Sequence, residues 1–129
     1  MENKTILIDT SILIDYFRKS DKANSKFVQL ALQGFAFQIA AVTEYEIYSG
    51  ATIEQVPFWD SFLNKVKVLP FDQNVVKKAV EINRNLKQNR KQIDLADLFI
   101  AATAIANNLS FGTLNRKHFD RVDLLSIID

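Results

Sequence analysis

The residues Thr5-Ile6-Leu7-Ile8 form a short, nearly continuous apolar run that ends abruptly on Asp9. A run of β-formers without polar alternation is the pattern of a strand covered on both faces, and such strands belong to parallel sheets with helices on either side. From Ser11 the period changes, and Ile12, Leu13, Tyr16 and Phe17 fall at helical spacing. A buried strand followed at once by a helix is the opening unit of an α/β fold.

The rest of the chain continues the alternation. A helical stretch is predicted from Asp21 to Gln33, stopped by Gly34, and then a strand over Phe35 to Val42. Thr43, three residues before Glu46, has the pattern of a capping box for a helix ending near Gly50. Pro57 marks the start of a helix running to Asn64. Val66-Lys67-Val68-Leu69 reads as a strand halted by Pro70, and Asp72 as the cap of a long helix over Val75 to Gln88. After a polar loop at Lys87 to Gln92 come an apolar helix from Asp94 to Asn107, a short strand from Leu109 to Thr113 and a last strand from Leu124 to Ile128. The prediction is an α/β fold with a mostly parallel sheet, in one domain spanning residues 1–129.

Composition narrows the chemistry. With 129 residues, 48% of them hydrophobic, the chain has material for one good core. It has no cysteine, which excludes disulfides, thiolate metal ligands and a cysteine nucleophile, and fits a reducing compartment. The start Met-Glu-Asn-Lys leads straight into the first strand without an apolar signal segment, and no stretch approaches the roughly 18 to 20 apolar residues of a membrane span. A soluble, cytoplasmic protein without membrane contact is the expectation. A net charge of +1 carries no overall signature of nucleic-acid binding, so any such surface must be local.

The acids are placed where chemistry is expected. In a parallel sheet, ligands bind beyond the carboxyl ends of the strands, and Asp9 ends the first one. Asp94 and Asp97, three residues apart, share one helix face near its N-terminus, where the helix dipole favours negative charge. Asp97 lies within the apolar series Leu95 to Ala102, where an unpaired carboxylate is costly and a cation would relieve it. Glu46, between Tyr45 and Ile47, has the same need. Three carboxylates from separate segments converging on one point make an oxygen-ligand site suited to Mg²⁺ or Mn²⁺.

Four strings carry a family resemblance: Ile8-Asp9-Thr10-Ser11-Ile12-Leu13-Ile14-Asp15, Thr43-Glu44-Tyr45-Glu46-Ile47-Tyr48-Ser49-Gly50, Asp97-Leu98-Phe99-Ile100-Ala101-Ala102-Thr103-Ala104, and Thr113-Leu114-Asn115-Arg116-Lys117-His118-Phe119. In order and spacing the chain resembles the PIN-domain ribonucleases, and within them the VapC toxins of type II toxin–antitoxin pairs, over essentially its whole length. The resemblance implies a three-layer α/β/α sandwich, Mg²⁺- or Mn²⁺-dependent endonucleolytic cleavage of RNA, homodimerisation, and a cognate antitoxin as inhibitory partner. Carried over by position, the metal-binding and catalytic acids fall on Asp9, Glu46 and Asp97. Asn115 takes the fourth polar position, and Asp94 is a further candidate ligand. Thr10, Thr113, Asn115 and Arg116 fall on positions that meet substrate. Phe111-Gly112 stands where relatives carry aliphatic residues and reads as a looser fourth strand.

Competing readings remain for several residues. Asp9 is also an ordinary helix cap, and capping alone is a sufficient role for Asp94. Asp15 reads as a solvent-facing helix residue outside the site. Glu44 replaces Glu46 if the helix is rotated, although Glu-x-x-x-Gly favours Glu46. His118, the sole histidine, has no Ser or Cys motif to serve and reads as structural or phosphate-neighbouring. The basic set Arg84, Lys87, Arg90, Lys91, Arg116, Lys117 and Arg121 reads equally as a phosphate track around the acids or as solvated surface. Phe58, Trp59 and Phe62 fit core or partner packing, and Tyr45, Tyr48, Phe58 and Trp59 look exposed enough to feed a dimer or antitoxin interface. A non-toxin PIN nuclease for RNA processing and a catalytically idle interaction module are the alternatives in function. A receiver-like phosphoacceptor or a dehalogenase-type phosphatase lacks its acid pattern here.

Overall fold

Four short strands, β1 (Thr5–Ile8), β2 (Ala36–Ala40), β3 (Lys67–Leu69) and β4 (Ser110–Gly112), lie in the order β3-β2-β1-β4. Every ladder is parallel. The computed structural model describes residues 4–128, so Met1 to Asn3 and Asp129 lie outside the described residues. Around the sheet are helices α1 (Thr10–Arg18), α2 (Lys26–Leu32), α3 (Ala41–Gly50), α4 (Val56–Leu63), α5 (Gln73–Gln88), α6 (Leu95–Ala106) and the single turn α7 (Arg116–Phe119).

The apolar run of β1 works as its sequence requires. Alternate side chains enter opposite layers: Leu7 joins a cluster with Val75 and Leu86 of α5 and Leu98 of α6. Ile6 and Ile8 join the other cluster, with Ile12 of α1, Leu30 of α2, Ile47 of α3 and Trp59 of α4. This is the three-layer α/β/α arrangement, and β1, buried on both faces, is its centre. Among the described residues no helix is long and apolar enough to cross a membrane.

Helix ends follow local chemistry. Asp72 accepts from the Val75 N–H at 3.1 Å and caps α5, and Pro57 sits in the first turn of α4, where its missing N–H costs nothing. The stretch read as one helix from Asp21 divides instead. Asp21 caps a 3-10 turn over Lys22–Asn24, and Ser25 then caps α2 through the Val28 N–H at 3.3 Å. Lys22 folds back, its Nζ donating to the Tyr16 and Phe17 carbonyls at 2.6 and 2.8 Å, and so satisfies the C-terminal end of α1.

Three further expectations are corrected at joins and surfaces. The capping box at Thr43 does not form, because β2 passes into α3 with no loop and the helix begins at Ala41, with Ala40 at the cap and no side-chain capping bond. Thr43 thereby becomes a buried first-turn residue whose hydroxyl has no hydrogen-bond partner. The last strand from Leu124 to Ile128 is reduced to one bridge, Phe111 to Ile127. Of the three β4 residues only Phe111 turns its N–H and C=O away from β1, to the Ser126 carbonyl and the Ile128 N–H at 2.8 and 2.9 Å. Trp59 is not a surface aromatic: it is 2% exposed and packs against Phe17 in a tilted pair with ring centroids 5.1 Å apart.

Gly112 does not loosen β4. It is buried opposite Ile8 in the ladder, and a Cβ there would stand 3.3 Å from Ile8 Cγ2 and 3.4 Å from Ile6 Cδ1. The glycine allows the central and edge strands to close on each other. Gly112→Val is therefore expected to destabilise by about 1–3 kcal/mol through overpacking. The check is a lower urea midpoint at unchanged m-value; a midpoint at or above that of the parent would show that the strand has room to spare.

Candidate active site

The strand order reverses between β1 and β4, and the crevice at such a switch point is where an open parallel sheet takes its ligand. Asp9 leaves the end of β1 and Thr113 the end of β4, 104 residues apart in sequence. The Thr113 hydroxyl donates to Asp9 Oδ2 at 2.5 Å. On the other oxygen, Oδ1 accepts from the Ser11 hydroxyl at 2.5 Å and from the Ile12 N–H at 3.3 Å. Asp9 is thus the cap of α1 and a cavity-lining acid at once, and the two readings of the sequence are not exclusive. A carboxylate has about four lone-pair directions, and three are taken by donors that fix its orientation.

A cavity of about 600 Å³ opens beside it. Asp9, Glu46 of α3, Asp97 of α6 and Asn115 line it, together with Asp15 of α1. Glu46 is held by the Thr10 hydroxyl, which donates to Oε1 at 2.6 Å. Glu44 faces elsewhere, in a separate depression with Tyr48 and Asp60. The loop that brings Asn115 is tied twice, by the Leu114 N–H to Ser11 Oγ at 3.0 Å and by the Asn115 N–H to Thr113 Oγ1 at 2.9 Å. Asp9 and Glu46 therefore each have hydroxyl neighbours that aim them, as ligating carboxylates usually do.

Electrostatics sets the tension. Burial pushes the Asp9 carboxyl above its ordinary value, against the pull of the Ser11 and Thr113 hydroxyls and the Ile12 N–H. Asp97 is also raised, chiefly by burial; His118 opposes this, and the negative charges of Asp94, Asp9 and Glu46 add to it. His118 Nδ1 stands 3.5 Å from Asp97 Oδ2. Asp94 is at the cap position of α6, yet its side chain makes no capping hydrogen bond. Its carboxylate acts on Asp97 from outside the cavity lining.

Other candidates are placed differently. Arg116 is exposed, pairs with Asp120 at 3.4 Å, and does not line the cavity. Arg121 donates to the Gln92 carbonyl at 2.9 Å and so pins the loop before α6. None of the seven basic residues read as a phosphate track lines the cavity; the cations that do are Arg18 and Lys19, in α1 and just past its end. Asp15, read as a solvent-facing residue, accepts from the Lys26 N–H at 3.0 Å and pairs with Lys19 at 3.7 Å. The signal for these three was available: Thr10, Ile14 and Arg18 lie four apart, as do Ser11, Asp15 and Lys19, so two helical rows run away from the acids.

The donor set fits a hard divalent cation: all oxygen, with two of its carboxyls held above their ordinary value by burial. Among the described residues no three acidic or histidine side chains stand close enough to form a ready-made metal cage. The acids form the walls of a wider space instead. That suits Mg²⁺, which keeps several waters and takes one or two carboxylates together with substrate phosphates.

The PIN domain family model matches residues 6–125. Ribonuclease VapC1 of Methanocaldococcus jannaschii is 35% identical over 121 residues, covering 94% of this chain and 83% of the relative. Ribonuclease VapC10 of Mycobacterium tuberculosis is 30% identical, covering 93% and 90%. In structure, the DNA-bound VapBC of Salmonella typhimurium matches with a TM-score of 0.86 at 20% identity over 99% of this chain and 98% of that one. A toxin–antitoxin complex from Klebsiella pneumoniae matches at 0.73 and 25% identity over 93% and 94%.

Raised carboxyls set the sign of a pH effect. Folding favours the protonated acids, so this contribution to stability is full below the ordinary carboxylate pKa and is lost as pH rises through the raised folded-state values of Asp9 and Asp97. Without metal at neutral pH, Asp97→Asn should therefore melt a few degrees higher than the parent. Millimolar Mg²⁺ or Mn²⁺ should raise the melting temperature of the parent and leave the variant nearly unmoved. Equal responses to the cation in both proteins would take Asp97 out of the site.

Proposed function

The chain belongs to the PIN domain family, and on that premise we propose that it is a Mg²⁺- or Mn²⁺-dependent endoribonuclease, the toxin of a VapBC-type pair held in check by a cognate antitoxin. The observation that carries this reading is the single cavity at the sheet's switch point that Asp9, Glu46 and Asp97 all line. Two relatives, at 35% and 30% identity, bear the name ribonuclease VapC, and solved neighbours are toxin–antitoxin complexes. The reading takes residues 1–129 as one nuclease domain, working in the cytoplasm as a homodimer. Exposed apolar side chains such as Tyr45, at 72% exposure, supply surface for a protein partner.

Asp9, Glu46 and Asp97 would hold the ion, with Asn115 able to add a neutral oxygen. When bound, the ion supplies Lewis acidity and a nucleophilic water at neutral pH for in-line attack on a phosphodiester. The chain's own contribution is placement. Thr113 and Ser11 hold the two oxygens of Asp9, and Thr10 holds Glu46, so the acids need not reorganise when a substrate arrives. Ile100 of α6 and Ile14 of α1 give the cavity lining an apolar part, which strengthens charge interactions beside it. Asn115, on an exposed turn fixed to Thr113, can donate its amide to a phosphate oxygen.

Purified protein should cut total cellular RNA in Mg²⁺ or Mn²⁺ and stop in EDTA, with Asp9→Asn and Asp97→Asn inactive although folded. Cutting that survives in both variants, or a metal-replete parent that cuts nothing, would refute the catalytic reading and favour an interaction module. Thr113→Val keeps shape and removes one donor to Asp9. It should cost about 10–100-fold in metal affinity or activity, the usual effect of losing a partner that orients a ligand, as titrated by the cation dependence of the rate.

A further inference from the structure

Resting on the reading of the site as a ribonuclease centre, we propose that Arg18 anchors a backbone phosphate of the RNA a few nucleotides from the cleaved bond, in a trough that runs along α1. The cavity is lined by four carboxylates, Asp9, Asp15, Glu46 and Asp97. A polyanion entering it meets repulsion from all four, and a bound ion offsets only part of that charge. Two cations line the same cavity, Arg18 and Lys19. They are not equivalent: Lys19 is engaged by Asp15 at 3.7 Å, whereas among the described residues no carboxylate pairs with Arg18.

The helix sets the direction. Thr10, Ile14 and Arg18 lie on one row of α1 and all three line the cavity. From Thr10, which holds Glu46, to Arg18 is eight residues, about 12 Å at 1.5 Å per residue, and an arginine side chain is long enough to reach part of the way back. The trough therefore has an acidic end, where a bond is cut, and a basic end, where a guanidinium is free to take a phosphate oxygen by two parallel N–H bonds. Ile14, between them, lines the trough with apolar surface. The simpler role for Arg18, completing the C-terminal dipole of α1, leaves unexplained why its side chain borders the cavity.

The test uses the full chain with Asp97→Asn, to prevent cleavage, and a labelled single-stranded RNA of about twelve nucleotides in Mg²⁺, followed by fluorescence anisotropy across a salt series. Adding Arg18→Gln should weaken binding at least about tenfold, the scale of a lost hydrogen bond to a charged group. The slope of log affinity against log salt should also fall by about 0.7, the value for one phosphate contact on a single strand. Arg18→Lys should restore the slope. Lys19→Gln should change affinity less than about twofold, as for an exposed ion pair, and Arg84→Gln on α5 should change nothing. Arg18→Gln that keeps affinity and slope while lowering the melting temperature overturns the proposal and leaves only the dipole role. Cleavage of total RNA by the parent is scored separately. If the parent cuts and the Arg18 slope is unchanged, the anchor fails and the nuclease reading stands; if the parent does not cut, the nuclease reading fails and the anisotropy series still decides whether Arg18 grips RNA.

Discussion

The carboxylate of Asp9 is the contact on which the rest of the site depends. It is 3% exposed and yet makes three hydrogen bonds, to Ser11, to the first turn of α1 and to Thr113 beyond β4. Burying an acid is costly unless such partners exist. Here they come from the first turn of α1 and from the loop after β4, which meet at the end of β1, so the side chain that faces the cavity also fixes where strand, helix and closing loop stand relative to one another. An asparagine would keep the shape of this junction but lose one acceptor and the charge.

Around that junction the molecule carries charge it does not neutralise. Asp97 is pushed up by its own burial and by three other acids, and the His118 ring opposes them. Functional sites often hold such unrelieved interactions, at some expense of stability. The buried Thr43 hydroxyl without a partner, at the start of α3, adds a second local cost. The remaining packing is ordinary and generous: β1 is covered on both faces, and aromatic rings of α1, α2 and α4 lock into one another, with the Tyr16 ring centroid 5.1 Å from that of Phe27 and 5.2 Å from that of Phe62.

What the sequence made legible was whatever depends on local period. The Thr5–Ile8 run, the caps at Asp72 and Asp9, and the proline at the head of α4 all act as read. What it hid depends on how segments join. Thr43 misleads because β2 enters α3 without a loop, a junction no cap pattern records. The stretch from Leu124 to Ile128 reads as a full strand, yet its pairing is limited by the three residues of β4, not by its own sequence. Asp15 and Arg18 were passed over because charged helical residues usually face water, and only the packing of α1 beside the cavity gives these two another neighbour. Gly112 looked like a weakness in isolation and is a close fit once Ile6 and Ile8 are beside it.

The hydrogen bond between Thr113 and Asp9 spans 104 residues, and β4 must slot beside the first strand before it forms. A chain that emerges from the ribosome N-terminus first delivers Asp9 and Glu46 long before, and Asp97 shortly before, Thr113 and Asn115. Contacts of such long sequence separation are also slow to close. The growing polypeptide therefore holds these acids before it holds the strand that aims the first of them, and on the proposed reading a destructive enzyme is unarmed until β4 has paired, beside the RNA-rich machine that makes it.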